Sequence, residues 1–183
     1  MFGIKGLLYI PDYITASEET QLIKTINKQL WDNSLKRRVQ HYGYRYDYKA
    51  RNVTPDMYIG KLPKWLNDLA TRIKDDGLCD DVLDQVIINE YQTGQGIAPH
   101  IDCEKCFGPR IFSISLGSQA VMEFTRTGKP KKEILLSPRS LVMLYSEARS
   151  VWRHSIPTRL KDNGVERGVR ISLTFRNVQR TSW

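Results

Sequence analysis

The chain is poor in the residues that staple a fold or anchor it in a bilayer. Its three cysteines, Cys79, Cys103 and Cys106, are an odd set in a sequence with no signal peptide, so no disulfide framework is implied and the thiols read as free. No apolar run is long enough for a membrane helix, and a reducing, cytoplasmic setting follows, or a nuclear one in a eukaryote. No repeat, low-complexity tract or Pro/Gly linker divides the 183 residues, which read as a single domain with one core. Histidine is equally scarce. His41, His100 and His154 are the whole supply, so any imidazole-based site must draw on them.

Cations, by contrast, are plentiful. Lys and Arg number 28 against 20 Asp and Glu, a net charge of +8 that favours a polyanionic partner, nucleic acid first, with a plain basic protein as the alternative. Thr15-x-x-Glu18 has capping-box spacing, and Leu22, Ile23, Ile26 and Leu30 follow it at helical intervals. A second helix is predicted from Pro63 in its first turn through Trp65, Leu66, Leu69 and Ile73 to Gly77. Beyond residue 84 the pattern changes to short strands: Gln85 to Tyr91, Arg110 to Leu116, Ala120 to Thr125, Lys132 to Leu136, Ser140 to Tyr145 and Gly168 to Val178. Helices followed by many strands predict an α+β, mainly β chain with a jelly-roll barrel and the helices on one side.

The chemistry concentrates in His100-Ile101-Asp102 and the distant His154. Alternate residues on an extended segment point the same way, so His100 and Asp102 can reach one ion, and two imidazoles with one carboxylate form the facial ligand set of non-haem Fe(II) oxygenases. His-x-Asp alone is a weak signal, a surface histidine beside a solvated aspartate being the alternative. Arg170 and Arg176 share strand parity with Ser172 and Thr174, while Ile171, Leu173 and Phe175 take the other face. Arginine forks suit carboxylates, although a solvated strand face fits the same spacing. Asn89-Glu90-Tyr91 ends a strand ahead of the turn Thr93-Gly94-Gln95-Gly96, and Pro99 stiffens the approach to His100. Trp152 reads as a core support for the His154 strand.

Asn89-x-Tyr91, the run from Tyr91 to Asp102, Ser115-Leu116-Gly117, Pro138-Arg139-Ser140-Leu141, Trp152-x-His154-Ser155-Ile156 and Arg170-x5-Arg176 together resemble the AlkB family of Fe(II)/2-oxoglutarate dioxygenases over roughly residues 37 to 178. The likeness is strongest to the oxygenase domain of the member that hydroxylates modified wobble uridines in tRNA. It implies a double-stranded β-helix over residues 85 to 178, preceded by a helical extension and nucleotide-recognition lid in residues 1 to 84. It also implies Fe(II) on His100, Asp102 and His154, with 2-oxoglutarate and O2 as cosubstrates. Arg170 would pair with the distal carboxylate of 2-oxoglutarate, aided by Tyr91 and Asn89, and Arg176 would sit nearer the metal and the Asp ligand. Ser172 departs from the Asn that the DNA-repair members usually carry there.

Residues 36 to 51 interleave bases with four tyrosines, a pattern that grips phosphates and stacks bases. Arg38, Tyr42, Tyr44, Tyr46, Tyr48 and Arg51 are the candidate substrate contacts, with His41 touching substrate or solvent. An ordinary hairpin with its tyrosines inward is the alternative. Arg126, Lys129, Lys131 and Lys132 read as a solvated hairpin tip, and Cys103-Glu104-Lys105-Cys106 lacks the four ligands of a zinc site. The reading is a monomeric dioxygenase that oxidatively demethylates alkylated bases in single-stranded DNA or RNA. The alternatives are hydroxylation of a wobble uridine in tRNA, a nucleic-acid-binding barrel without turnover, and a protein side-chain hydroxylase.

Overall fold

The computed structural model describes residues 3–180. Two helices form where the capping and apolar spacing place them: α1 (Ala16–Asn27) and α2 (Lys64–Asp75). Thr15 caps α1 by accepting from the Glu18 amide at 3.2 Å, while the Glu18 carboxylate accepts from the Thr15 amide at 2.8 Å. Because α1 stops at Asn27, Leu30 falls beyond its last turn and is 95% exposed instead of joining the apolar stripe. Pro63 caps α2 from just outside it, and the Arg72–Glu18 ion pair joins the two helices.

Among the described residues twelve strands follow chain order: β1 (Leu7–Ile10), β2 (Arg38–Tyr42), β3 (Gln85–Tyr91), β4 (Ile97–His100), β5 (Ile111–Gly117), β6 (Ala120–Thr125), β7 (Lys132–Leu136), β8 (Leu141–Leu144), β9 (Arg153–Ile156), β10 (Lys161–Asp162), β11 (Val165–Glu166) and β12 (Arg170–Arg176). A short helix, α3 (Ser146–Ser150), links β8 to β9. The larger sheet has the order β1-β8-β5-β12-β3-β2, the smaller one β4-β9-β6-β7, and β10-β11 form a separate ribbon. All pairings are antiparallel, and the two sheets make the expected double-stranded β-helix. The β3, β6 and β7 bounds match the alternation in the sequence; β2, β4, α3 and the ribbon are too short or too polar to announce themselves.

Two cores result. The outer face of the larger sheet packs Val86, Ile88, Phe112, Ile114, Leu116, Leu141, Ile171, Leu173 and Phe175 against Leu22, Ile26, Leu66, Leu69 and Ile73 of the helices. Between the sheets lie Ile111, Met122, Phe124, Ile134, Val142, Leu144, Trp152 and Ile156, with Phe107 closing one end. Trp152, 4% exposed, supports β9 from within this second core. No helix among the described residues is long and apolar enough to cross a membrane.

Candidate active site

A cavity of about 360 Å³ opens between the sheets, and strand pairing explains which side chains meet in it. His100 ends β4 and lies directly opposite His154 on β9, so the rings come together with centroids 4.4 Å apart. Gly96 makes this approach feasible, since a Cβ there would stand 2.1 Å from the Ile156 carbonyl oxygen. Asp102 sits two residues past β4, with Oδ1 3.6 Å from His100 Nε2. One ligand atom from each of the three lies within 4.8 Å of the others, the single such cluster of His, Cys, Asp and Glu found among the described residues. His100 Nδ1 lies 2.8 Å from the Ala98 carbonyl, an arrangement that fixes the ring and leaves Nε2 for the centre.

Electrostatics suits these groups to a cation. Burial pulls the His154 imidazole down to about 4, so it is neutral near pH 7, and its buried Nδ1 has no protein partner. Burial also pushes the Asp102 carboxyl upward, but the Arg176 guanidinium and the two histidines outweigh it and hold the group well below the usual range. Two imidazoles and one carboxylate on one side of an open space fit Fe(II) with free positions beyond them. Arg176 donates from Nε and Nη2 to Asp102 Oδ2, both at 3.3 Å, and lies 4.6 Å from the Phe107 ring centre.

The inward parity of β12 supplies the opposite wall. Arg170 is 4% exposed, donates to Ser115 Oγ at 2.8 Å and lies over the Tyr91 ring at 5.6 Å, but its buried Nε has no partner. Ser172 Oγ is 3.0 Å from Ser113 Oγ, and Asn89 Oδ1 accepts from Arg37 Nε at 2.8 Å. An interior cation with an open donor is an unfinished anion site. A dicarboxylate reaching from the triad to Arg170 matches that donor set.

Of the tyrosine tract, the structure brings Tyr46, Tyr48 and Arg51 to the cavity and leaves Arg38, Tyr42 and Tyr44 away from it. Arg38 pairs with Glu90 at 2.6 and 2.9 Å and covers Trp31, Tyr42 packs edge-on to Trp65, and Tyr44 is buried against Tyr58. Arg37, which the sequence did not single out, lines the cavity and lies 5.7 Å from the Tyr48 ring centre. The signal was parity: Val39 pairs with Asn89 and His41 with Ile87, both cavity residues, so Arg37 shares their face and Arg38 does not. His41 packs edge-on to Tyr48 with Nε2 buried and unpartnered, held neutral by burial that lowers its pKa to about 4.

Comparison with known proteins decides the family. Residues 6–176 match the 2OG-Fe(II) oxygenase superfamily. The chain belongs to that superfamily. Within it the oxygenase is of AlkB type. It is 38% identical over 97% of its length to the alkylated DNA repair protein ALKBH8 homologue of Arabidopsis thaliana, 59% of which it covers. It is 39% identical over 96% of its length to an uncharacterised protein of Acanthamoeba polyphaga mimivirus, covering 86% of that protein. The mouse tRNA (carboxymethyluridine(34)-5-O)-methyltransferase ALKBH8 is 33% identical over 96% of the chain, which spans only 31% of it. The OsALKBH1 structure superimposes with a TM-score of 0.73 at 15% identity, over 94% of this chain and 96% of that one, and shares the fold.

Two readings of the oxygenase's loops change. Cys103 and Cys106 are a disulfide, not free thiols, because the turn that follows Asp102 brings their Cα atoms to 5.2 Å; Cys79 alone is free, and buried. Arg149 of α3 is buried against the Asp102 loop. Two cations of the basic hairpin tip are paired, Lys131 with Glu123 and Glu133, and Arg126 with Glu147.

Proposed function

We propose that this oxygenase uses Fe(II), 2-oxoglutarate and O2 to demethylate alkylated bases oxidatively in single-stranded DNA or RNA. The observation that carries the reading is one cavity lined by three groups: the His100-Asp102-His154 cluster, Arg170 with its open Nε, and Arg37, Tyr46, Tyr48 and Arg51. His100, Asp102 and His154 would hold the metal. When bound, Fe(II) supplies the oxidising chemistry, 2-oxoglutarate and O2 leaving as succinate and CO2 with one oxygen atom placed on the substrate carbon.

The protein's share is placement. Arg170 binds the distal carboxylate of the cosubstrate, Tyr91 and Ser172 bound its path, and Asn89 orients Arg37 toward the lid. Arg176 keeps Asp102 ionised and fixed in direction. Tyr46 and Tyr48 provide ring faces for a base that has left its stack, and Arg37 and Arg51 provide charge for the backbone. A methyl group on nitrogen, once hydroxylated, departs as formaldehyde.

The name of the mouse relative points to a carboxymethylated tRNA uridine, and in a second reading such a uridine is the substrate, its carbon side arm hydroxylated with the hydroxyl retained. Incubation with methylated DNA and RNA oligonucleotides and with total tRNA, followed by nucleoside mass spectrometry, separates the two. Formaldehyde and an unmodified base support demethylation, and a uridine gaining one oxygen supports the second reading. Turnover that survives His100→Ala or Asp102→Ala would overturn both.

A further inference from the structure

Arg149 belongs to α3, which joins neither sheet, and its side chain runs inward to the loop that carries Asp102. Only 4% of it is exposed. Nη1 donates to the Asp102 carbonyl at 2.9 Å, Nη2 to the Cys103 and Phe107 carbonyls at 3.3 and 3.4 Å, and Nε to the Gly108 carbonyl at 3.4 Å. All four partners are backbone oxygens. An interior guanidinium without a bonded carboxylate is expensive to bury, and here its cost is offset by hydrogen bonds to four carbonyls of one loop. What an apolar side chain lacks is a rigid, planar fork that can hold several carbonyls of one loop in a single arrangement.

The place of this fork gives it a role. Arg149 stands five residues before His154 and grips the peptide of Asp102 itself, so it ties together the two segments that bring the second and third ligands from distant parts of the chain. Arg153, the first residue of β9, fixes the strand of the first ligand through the Pro99 carbonyl at 2.9 and 3.2 Å. We propose that Arg149 is a positioning residue of the metal centre. By clamping the loop from Asp102 to Gly108, it sets the direction of the Asp102 carboxylate, one oxygen toward His100 and the other toward Arg176. It touches neither metal nor substrate.

This inference rests on the His-Asp-His centre and not on the identity of the substrate, so the test is metal binding. Co(II) added to the metal-free protein reports affinity by titration and coordination by its visible absorption bands. His100→Ala, which should lose this binding, verifies that the titration reads the triad. Arg149→Met is expected to bind Co(II) roughly 10–100-fold more weakly, with shifted bands, the range typical of residues that orient metal ligands. Arg149→Lys should fall between it and the native protein. Leu69→Ala, in the helix core remote from the cavity, shows what lost stability alone does to the titration. If Arg149→Met does not fold, Arg149→Gln, which retains donors but not the fork, is read by the same criterion. Native affinity and native bands in the folded variant would overturn the proposal. A normal metal response without turnover of nucleic acid would instead count against the proposed function alone.

Discussion

On one face of β12, Ile171, Leu173 and Phe175 pack against α1 and α2; on the other, Arg170, Ser172, Thr174 and Arg176 face the cavity. Both faces are buried, yet the first consists of carbon contacts and the second of two cations and two hydroxyls. Burial therefore means different things a single residue apart. The helix side gains free energy from excluding water, whereas the cavity side gives some of it up by keeping charged donors open for a ligand. Stability and activity should separate along the alternation of this one strand.

The largest expected effect is on the apolar face. Phe175→Ala, at a fully buried position, should cost about 3–5 kcal/mol in urea unfolding while the folded fraction still binds metal; a matching loss of metal affinity would erase the distinction. Arg170→Met makes the converse case. It should weaken 2-oxoglutarate binding by about 100-fold or more, roughly 2.7 kcal/mol, yet alter unfolding by less than about 1 kcal/mol, because it removes an interior charge that has no bonded carboxylate.

His41 extends the comparison to acid sensitivity. Its folded pKa of about 4 lies below the unfolded value of 6.5, so between those pH values the unfolded chain binds the extra proton and stability falls as pH drops. His41→Phe should remove a pH-dependent loss on the order of 2–3 kcal/mol across that window, measured by denaturation at pH 7 and pH 4. An unchanged pH profile would place the acid sensitivity elsewhere. The smallest effect belongs to the half-buried Glu18–Arg72 pair, which joins the helices. Glu18 is held near 2 by its hydrogen bond with Arg72, so its contribution is present above about pH 4.5 and is lost as pH falls through 2. Glu18→Gln keeps the capping geometry and should cost under about 1 kcal/mol at pH 7, and nothing near pH 2.

The same alternation accounts for what could be read from the sequence. The barrel, the triad and the parity of Arg170 and Arg176 were legible because period-two patterns and rare histidines leave few arrangements. The substrate tract was not, because β2 is only five residues long and nothing in its sequence says which parity faces the cavity. Choosing Arg38 over Arg37 took the β2 candidates to the helix side, where Arg38 and Tyr42 meet Glu90 and Trp65, while Tyr46, Tyr48 and Arg51 beyond the strand reach the cavity. Arg149 left no trace for a different reason. Its partners are backbone carbonyls, which have no residue type, so no spacing in the sequence encodes them. The disulfide escaped because an odd cysteine count argued against pairing, while a local turn was enough to close it.

The strand order also has a consequence for synthesis. β12, the last strand among the described residues, lies between β3 and β5, both made long before it. Until it emerges, the larger sheet exists as two halves with a strand-wide slot between them. Seven residues then close both edges at once and deliver Arg170 and Arg176 to the cavity wall. A nascent chain halted before residue 170 would thus present two bare strand edges, the form most exposed to wrong pairing with a neighbour. In this fold the same late event seals the sheet and completes the cavity wall.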